Sequence, residues 1–497
     1  MVSGAGGRLA IVLHSHSPWL LGHGTWPVGE EWLRQAWGQA YLPLVQLLRE
    51  RAERGERGLL TLGITPVLAA QWDDPESVRE QRRWLADWRT RATGKGIWAA
   101  GTGDAVAAAD ANRQYRAARA MESEFDENWN AGGSAAIRPL IDAGVIEALG
   151  GPMTHTFTPH LLTPFAHLAL ESGLRDHTAR LGSRPTGIWA PECAYVPGLE
   201  ETYQRHGTDH FLVDGPTLEH VGASKHRPHR IGDSDVVAFG RDLSLTYRVW
   251  SPRRGYPGNQ WYQDFHSFDH EWGVRAHRVT SRSSPDKAPY DPQRATQRVR
   301  RDANDFVQRA TEVIESSTEE SPLVVVAYDT ELFGHWWHEG PQFLEAVFDL
   351  APAAGIKLTT LRAERDRAAD RPGVELAAGS WGSGKDFRVW ADGEAGQLRD
   401  RGTAAQYGVL SYLRDLPANW RASRNETADA IVTELLLGMS SDWAFMITKD
   451  SAAQYARARA EGHFNRLEEL LRSAHHDPTM RSSDRRFPFV DARLLPV

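Results

Sequence analysis

Leu323-Val324-Val325-Val326-Ala327-Tyr328-Asp329-Thr330-Glu331-Leu332-Phe333-Gly334-His335-Trp336-Trp337-His338 decides how the rest of this chain is read. Its first six residues form an apolar run without alternation, which reads as a short buried strand. The run ends abruptly in two carboxylates, two His and two Trp within ten positions. Solvated loops seldom spend adjacent Trp, so the cluster reads as a site at the end of a strand. If the strand continued, Asp329 and Glu331 would share a face.

Working outward, similar apolar runs recur at Leu9–Leu13, Leu59–Ile64, Val145–Leu149, Gly187–Ala190, His210–Val213 and Val236–Phe239, with a weaker one at Leu358–Leu361. Helical patterns lie between many of them. Trp32–Arg51 has apolar residues at helical spacing, and Pro292–Ser316 has Asp291 as a cap, Pro292 in the first turn and a Val299/Phe306/Ala310/Val313 stripe. Strands alternating with helices predict a parallel α/β architecture. Seven or eight strands over the first 360 or so residues fit a barrel better than an open sheet. Residues 75–140, rich in Arg, Ala and Glu, interrupt the rhythm as a helical insertion. After about residue 370 helices take over, at Thr403–Leu413, Glu426–Met439 and Ala452–Ser473, ahead of an irregular tail over 474–497. The expected organisation is a catalytic barrel over 1–74 and 141–370, the insertion at 75–140, and an α-helical C-terminal domain over 371–497.

Composition bounds the function. The 497 residues carry a formal net charge of −8, which argues against a broadly basic nucleic-acid surface. A single cysteine, Cys193, excludes a disulfide scaffold and a zinc–thiolate cluster. No run approaches the ~20 apolar residues of a membrane span, and Met1–Gly7 lacks a basic leader, so a soluble cytoplasmic protein is expected. The 19 Trp ask for a reason beyond core filling; flat aromatic faces that stack on sugar rings would supply one.

Barrel enzymes gather their chemistry where strands end. The first strand ends in His14-Ser15-His16-Ser17-Pro18, and alternation points His14 and His16 the same way. They could bind a metal, given a third ligand, contact a polar substrate, or satisfy a core network. His155 follows the strand near Val145. Ile188-Trp189-Ala190-Pro191-Glu192-Cys193 places a carboxylate just past an apolar strand, where it is costly unless paired or used. Cys193 itself reads as inert packing. Glu192 and Asp329 therefore form a candidate carboxylate pair in aromatic surroundings, which suits glycosidic-bond chemistry.

These residues resemble glycoside hydrolase family 57, and within it the α-glucan branching members. His14–Pro18, Gly63-Ile64-Thr65-Pro66, Trp189-Ala190-Pro191-Glu192, Tyr328–Trp337, Ser380-Trp381-Gly382 and Leu435–Leu437 through Ser441-Asp442-Trp443 look like the family's signatures, in order and over nearly the whole chain. The resemblance implies an incomplete (β/α)7 barrel, retention of anomeric configuration and no metal or other cofactor. It implies Glu192 as nucleophile and Asp329 as general acid/base, with His14, His16 and His155 around the donor sugar. Carried over by position, Arg241, Gly258, Trp381 and Asp442 resemble substrate-binding residues, joined by Trp336 and by Trp443 from the C-terminal domain. The expected substrate is an α-1,4-glucan, with neither nucleic acid nor membrane as partner.

Two departures stand out. Branching members commonly carry Gln nine residues after the Asp of Ser-Asp-Trp, where this chain has Ser451. Some also carry a Tyr-bearing loop, thought to keep water from the covalent intermediate, where Gly222–Asp233 is short, basic and without Tyr. The acceptor is thus open between a 6-hydroxyl, a 4-hydroxyl and water. The competing classes are a metal-dependent carbohydrate hydrolase or deacetylase and a non-catalytic glucan-binding protein.

Overall fold

The computed structural model describes residues 6–496 apart from 27, 252–253, 282, 370–371, 478–480, 483 and 485. Met1–Ala5 of the leader reading and part of the C-terminal tail lie outside the described residues. The strands, in chain order, are β1 (Arg8–Ser15), β2 (Leu60–Ile64), β3 (Ile146–Leu149), β4 (Gly187–Ile188), β5 (His210–Asp214), β6 (His229–Arg230), β7 (Val237–Arg241), β8 (Leu323–Asp329) and β9 (Lys357–Thr359). Seven of them run parallel in the order β3-β2-β1-β8-β7-β5-β4. The two ends meet at a single parallel bridge, Gly150 to Ile188, which nearly closes a seven-stranded barrel. β9 adds to the lower half of β1, on the edge whose upper half pairs with β2, and β6 forms an antiparallel hairpin with β7.

β1 and β8 are at the centre of the sheet, paired from Arg8–Leu323 to His14–Asp329. Both are apolar on both faces, because helices cover the outside and side chains fill the inside. β4 is shorter than its apolar run predicts. Trp189 N–H donates to Gly150 O at 2.9 Å, and Ala190 already leads into the turn at Pro191–Cys193. β8 likewise stops at Asp329, and a 3₁₀ turn over Thr330–Leu332 follows. Asp329 and Glu331 therefore do not continue one strand face.

A polar cluster near the N-terminal strand ends ties the weak side of the barrel together. Glu147 on β3 accepts from Thr61 Oγ1 on β2 at 2.9 Å and pairs with His210 Nε2 on β5 at 2.6 Å. The contact crosses β4 only because residue 187 is glycine: a Cβ there would stand 2.1 Å from His210 Nε2.

The helix read over Trp32–Arg51 is interrupted by a π turn at Trp37–Tyr41. Between β2 and β3 two long helices, Pro75–Thr102 and Ala105–Asn128, form a hairpin, each capped by an Asp side chain, Asp74 and Asp104. Beyond the barrel, Gly393–Asp415, Glu426–Gly438, Ser441–Thr448 and Ala453–His476 are helical. One hydrophobic cluster joins them to the barrel: Trp19, Val67, Met153 and Phe165 pack with Leu413, Ile431, Leu435 and Phe464.

Candidate active site

The site forms where β1, β4 and β8 end and where the helix Ser441–Thr448 begins. Glu192 sits in the turn after β4, buried, with φ of 62°. A non-glycine residue in the left-handed region is strained, and such strain gathers at functional sites. Its carboxylate is held from two sides: Trp381 Nε1 donates to Oε2 at 2.7 Å and Ser441 Oγ donates to Oε1 at 2.8 Å. Burial pushes this carboxyl up to about 7, opposed by the two donors and reinforced by the charge of Asp442.

Asp329 caps β8. Burial and the neighbouring carboxylates of Glu331 and Glu192 hold its carboxyl well above the usual range. Glu331 accepts from the His16 backbone N–H at 3.1 Å and from the Tyr41 hydroxyl, and its own carboxyl rises to about 7, chiefly through burial. The π turn delivers Tyr41 to this contact, a common use of such bulges.

Three imidazoles line the other wall. His14 stacks on Trp189, with centroids 4.2 Å apart, and its Nε2 lies 3.1 Å from His155 Nε2. His155, also in the left-handed region at φ 56°, meets Ser441 Oγ through Nδ1 at 2.9 Å. His16 bridges Thr65 Oγ1 at 3.0 Å and Asp442 at 2.9 Å. Burial favours a raised Asp442 carboxyl, but His16, His155 and the Ser440 hydroxyl outweigh it and bring it to about 2. Burial holds His14 and His155 well below the usual imidazole range, so both are neutral.

His16, His155 and Asp442 each bring a ligand atom within 4.8 Å of the others, which supplies in kind the third ligand a metal would need. The direction is wrong. The His16 and His155 rings lie face to face, with centroids 3.9 Å and planes 23° apart. Nitrogen lone pairs lie in the ring plane, and two nearly parallel planes do not meet at one ion. The cluster is built as a hydrogen-bonded wall.

The other sequence-predicted residues divide. Arg241 bonds Asp214 at 2.8 Å and lies over the Trp381 ring at 5.1 Å, so it belongs with the site. Trp336 is exposed at 37% and forms an edge-on pair with exposed Trp250, 5.7 Å between centroids. Trp443 corrects the expectation that it faces the glucan: it is fully buried, with its N–H on Leu437 O at 2.8 Å. Gly258 lines a different cavity of about 590 Å³ with Arg248, Arg254, Arg298 and Arg301. Ser451 is exposed, its backbone N–H closing a turn to Met446 O, outside the hydrogen bonds around Glu192. Cys193 is buried, and burial pushes its thiol well above its usual range. Sequence reasoning missed Ser441, Tyr41 and Thr65 as partners. Ser441 lies inside a quoted signature, whereas Tyr41 has no local signal.

The glycosyl hydrolase family 57 model matches residues 10–371, and a model described as 1,4-α-glucan branching enzyme, C-terminal, matches 409–494. A probable 1,4-α-glucan branching enzyme of Mycobacterium tuberculosis is 44% identical, covering 99% of this chain and 98% of the relative. Among solved structures, a GH57-type branching enzyme from Pyrococcus horikoshii is 30% identical with a TM-score of 0.87, covering 99% of this chain and 95% of that one. A GH57 branching enzyme from Thermococcus kodakaraensis, in complex with glucose, is 26% identical with a TM-score of 0.88 and the same coverage. The strand-end carboxylates, the order of the signatures and a match over almost every residue agree: the chain belongs to glycosyl hydrolase family 57.

Proposed function

We propose that this chain is a 1,4-α-glucan branching enzyme that works by retaining double displacement. The observation that carries the reading is the pairing of two carboxyls in unlike surroundings, Glu192 buried and Asp329 half-buried at the end of β8. Glu192 is fixed by two donors, while Asp329 is kept protonated by burial and negative neighbours. Environments that push two carboxyls apart assign acid and nucleophile. Full-length similarity to named branching enzymes supports the substrate class.

In the first step Asp329 gives its proton to the 4-oxygen of the leaving chain as the C1–O4 bond breaks. A Glu192 oxygen then forms an ester with C1. In the second step Asp329 takes the proton of an acceptor 6-hydroxyl, whose oxygen attacks C1, and the Glu192 ester opens to the free carboxylate. His14, His16 and His155 form the wall of the donor subsite, Asp442 and Arg241 hold donor hydroxyls, and Trp381 packs at the sugar's edge. Trp336 and Trp250 offer exposed faces for further glucose units. A cytoplasmic α-glucan pool is the setting this reading implies; none of the described helices is long and apolar enough to cross a membrane.

One observation favours a second acceptor. The segment Gly222–Asp233 folds along the barrel, with Leu323 N–H donating to His226 O at 2.8 Å and His229–Arg230 paired to β7. No Tyr from this segment shields the ester, so water competes as acceptor. Incubation with amylose, read by proton NMR and by a reducing-end assay, tests both. Rising α-1,6 signal with few reducing ends supports branching; reducing ends alone mean hydrolysis, and redistributed linear chains mean 4-α-transfer. Glu192→Gln and Asp329→Asn each abolish turnover; full activity in either overturns the assigned roles.

A further inference from the structure

Ser441 occupies an unusual junction. It is 1% exposed and opens the helix Ser441–Thr448. Its backbone N–H donates to His155 O at 3.1 Å, and the neighbouring Ser440 bridges Thr156, so the helix start is pinned to the loop after β3. The hydroxyl is thereby placed between two functional groups. A serine hydroxyl has one proton to give. Here it goes to Glu192 Oε1, so the same oxygen accepts the N–H of His155 Nδ1. Neutral His155 then presents a lone pair at Nε2, which accepts from His14 Nε2–H at 3.1 Å. A directed chain runs from His14 through His155 and Ser441 to the nucleophile, all of it buried. Its two bent residues, His155 and Glu192, both sit at positive φ and both meet the Ser441 hydroxyl.

We propose that Ser441 is a positioning residue that sets the balance between attack by Glu192 and its departure. A hydrogen bond to a carboxylate stabilises the charged form. On one side it tempers Glu192 as a nucleophile and keeps it ionised at lower pH. On the other it stabilises the carboxylate released when the ester opens, so the second step is the one that gains. The Trp381 N–H fixes Oε2 and cannot replace this role at Oε1. The C-terminal helix thus governs how long the glucan stays on the enzyme, which is the interval in which an acceptor chain must arrive.

The inference rests on the branching reading, and the experiment separates the two. Ser441→Ala and Ser441→Thr are compared with the parent protein on amylose across pH, and the steady-state ester is measured by rapid quench, intact mass and peptide mapping. Ser441→Ala should move the acid limb of kcat/KM to higher pH, lower kcat by roughly 10–100-fold and raise the fraction of enzyme carrying glucan on Glu192. Ser441→Thr, which keeps the hydroxyl, should restore most of the parent profile. Thermal melting of each variant controls for folding; should Ser441→Ala unfold, Ser441→Cys, a weak donor of similar size, takes its place with the same expectations. An ester on Glu192 with an unmoved acid limb and no accumulation overturns the role given to Ser441. An ester mapped to another residue overturns the reading of Glu192 itself.

Discussion

At the scale of single residues, the site works by giving like side chains unlike surroundings. Glu192 is buried and Asp329 half-buried, yet only Glu192 has two side-chain donors. Trp381→Phe keeps the ring and removes one of them. A hydrogen bond to a charged group contributes roughly 1.5–3 kcal/mol, so turnover should fall about 10–100-fold. The donor stabilises the ionised form, so its loss raises the Glu192 pKa and the acid limb moves to higher pH; an unmoved limb would refute the contact. Glu331 acts on the other limb. Its charge adds to desolvation in holding the Asp329 proton on. Glu331→Gln removes that repulsion, the Asp329 pKa falls, and the alkaline limb should move to lower pH. A pH series of kcat/KM reads both shifts, as macroscopic values of a coupled pair. Glu192 and Asp329 were legible as strand-end carboxylates, because each follows an apolar run directly. Their surroundings were not: Ser441, which donates to Glu192, and Tyr41, which donates to Glu331 beside Asp329, come from distant segments that only folding brings together, and the bond from Trp381 to Glu192 is likewise a product of the fold.

At the scale of elements, the barrel is weakest where β4 offers two residues of ladder. The pair Glu147–His210 spans that gap. His210 gains two carboxylate partners, Glu147 and Asp209, which overcome its burial and raise it to about 9. A raised histidine contributes stability that is complete below its unfolded pKa of about 6.5 and is lost as pH rises through the folded value. The melting temperature should therefore fall between about pH 7 and 9 in the parent protein and change less in His210→Gln. Breaking a buried pair costs roughly 3–5 kcal/mol, so His210→Gln should also melt lower at pH 6 by several degrees in a calorimeter. Gly187→Ala should act at the same place, since its Cβ overlaps His210. Sequence patterns located these strands well because parallel strands are apolar on both faces. The end was read too long at β4, where Trp189 turns its backbone to Gly150, and the condition under which Asp329 and Glu331 would share a face is not met at β8, because Asp329 leads straight into a 3₁₀ turn.

At the scale of the whole molecule, the site is shared between barrel and C-terminal helices. Trp381, Ser441 and Asp442 come from beyond the barrel strands, and one apolar cluster cements the two parts. A chain ended before the helix Glu426–Gly438 would lose Ser441 and Asp442 and expose Trp19, Val67, Met153 and Phe165. It should express as aggregate, and any soluble fraction should lack amylose turnover; a soluble, active truncation would show that the barrel suffices. The sequence by itself determined the alternation of strand and helix, the helical insertion, the family signatures and the two carboxylates, because each rests on local periodicity or on residues within a few positions. Only the tertiary structure decided the rest. It turned His16 and His155 face to face, buried Trp443, and carried Gly258 to a separate arginine-lined cavity. It also set the Ser441 hydroxyl between His155 and Glu192. Direction, burial and long-range hydrogen bonds depend on which segments meet, and a local pattern does not encode that.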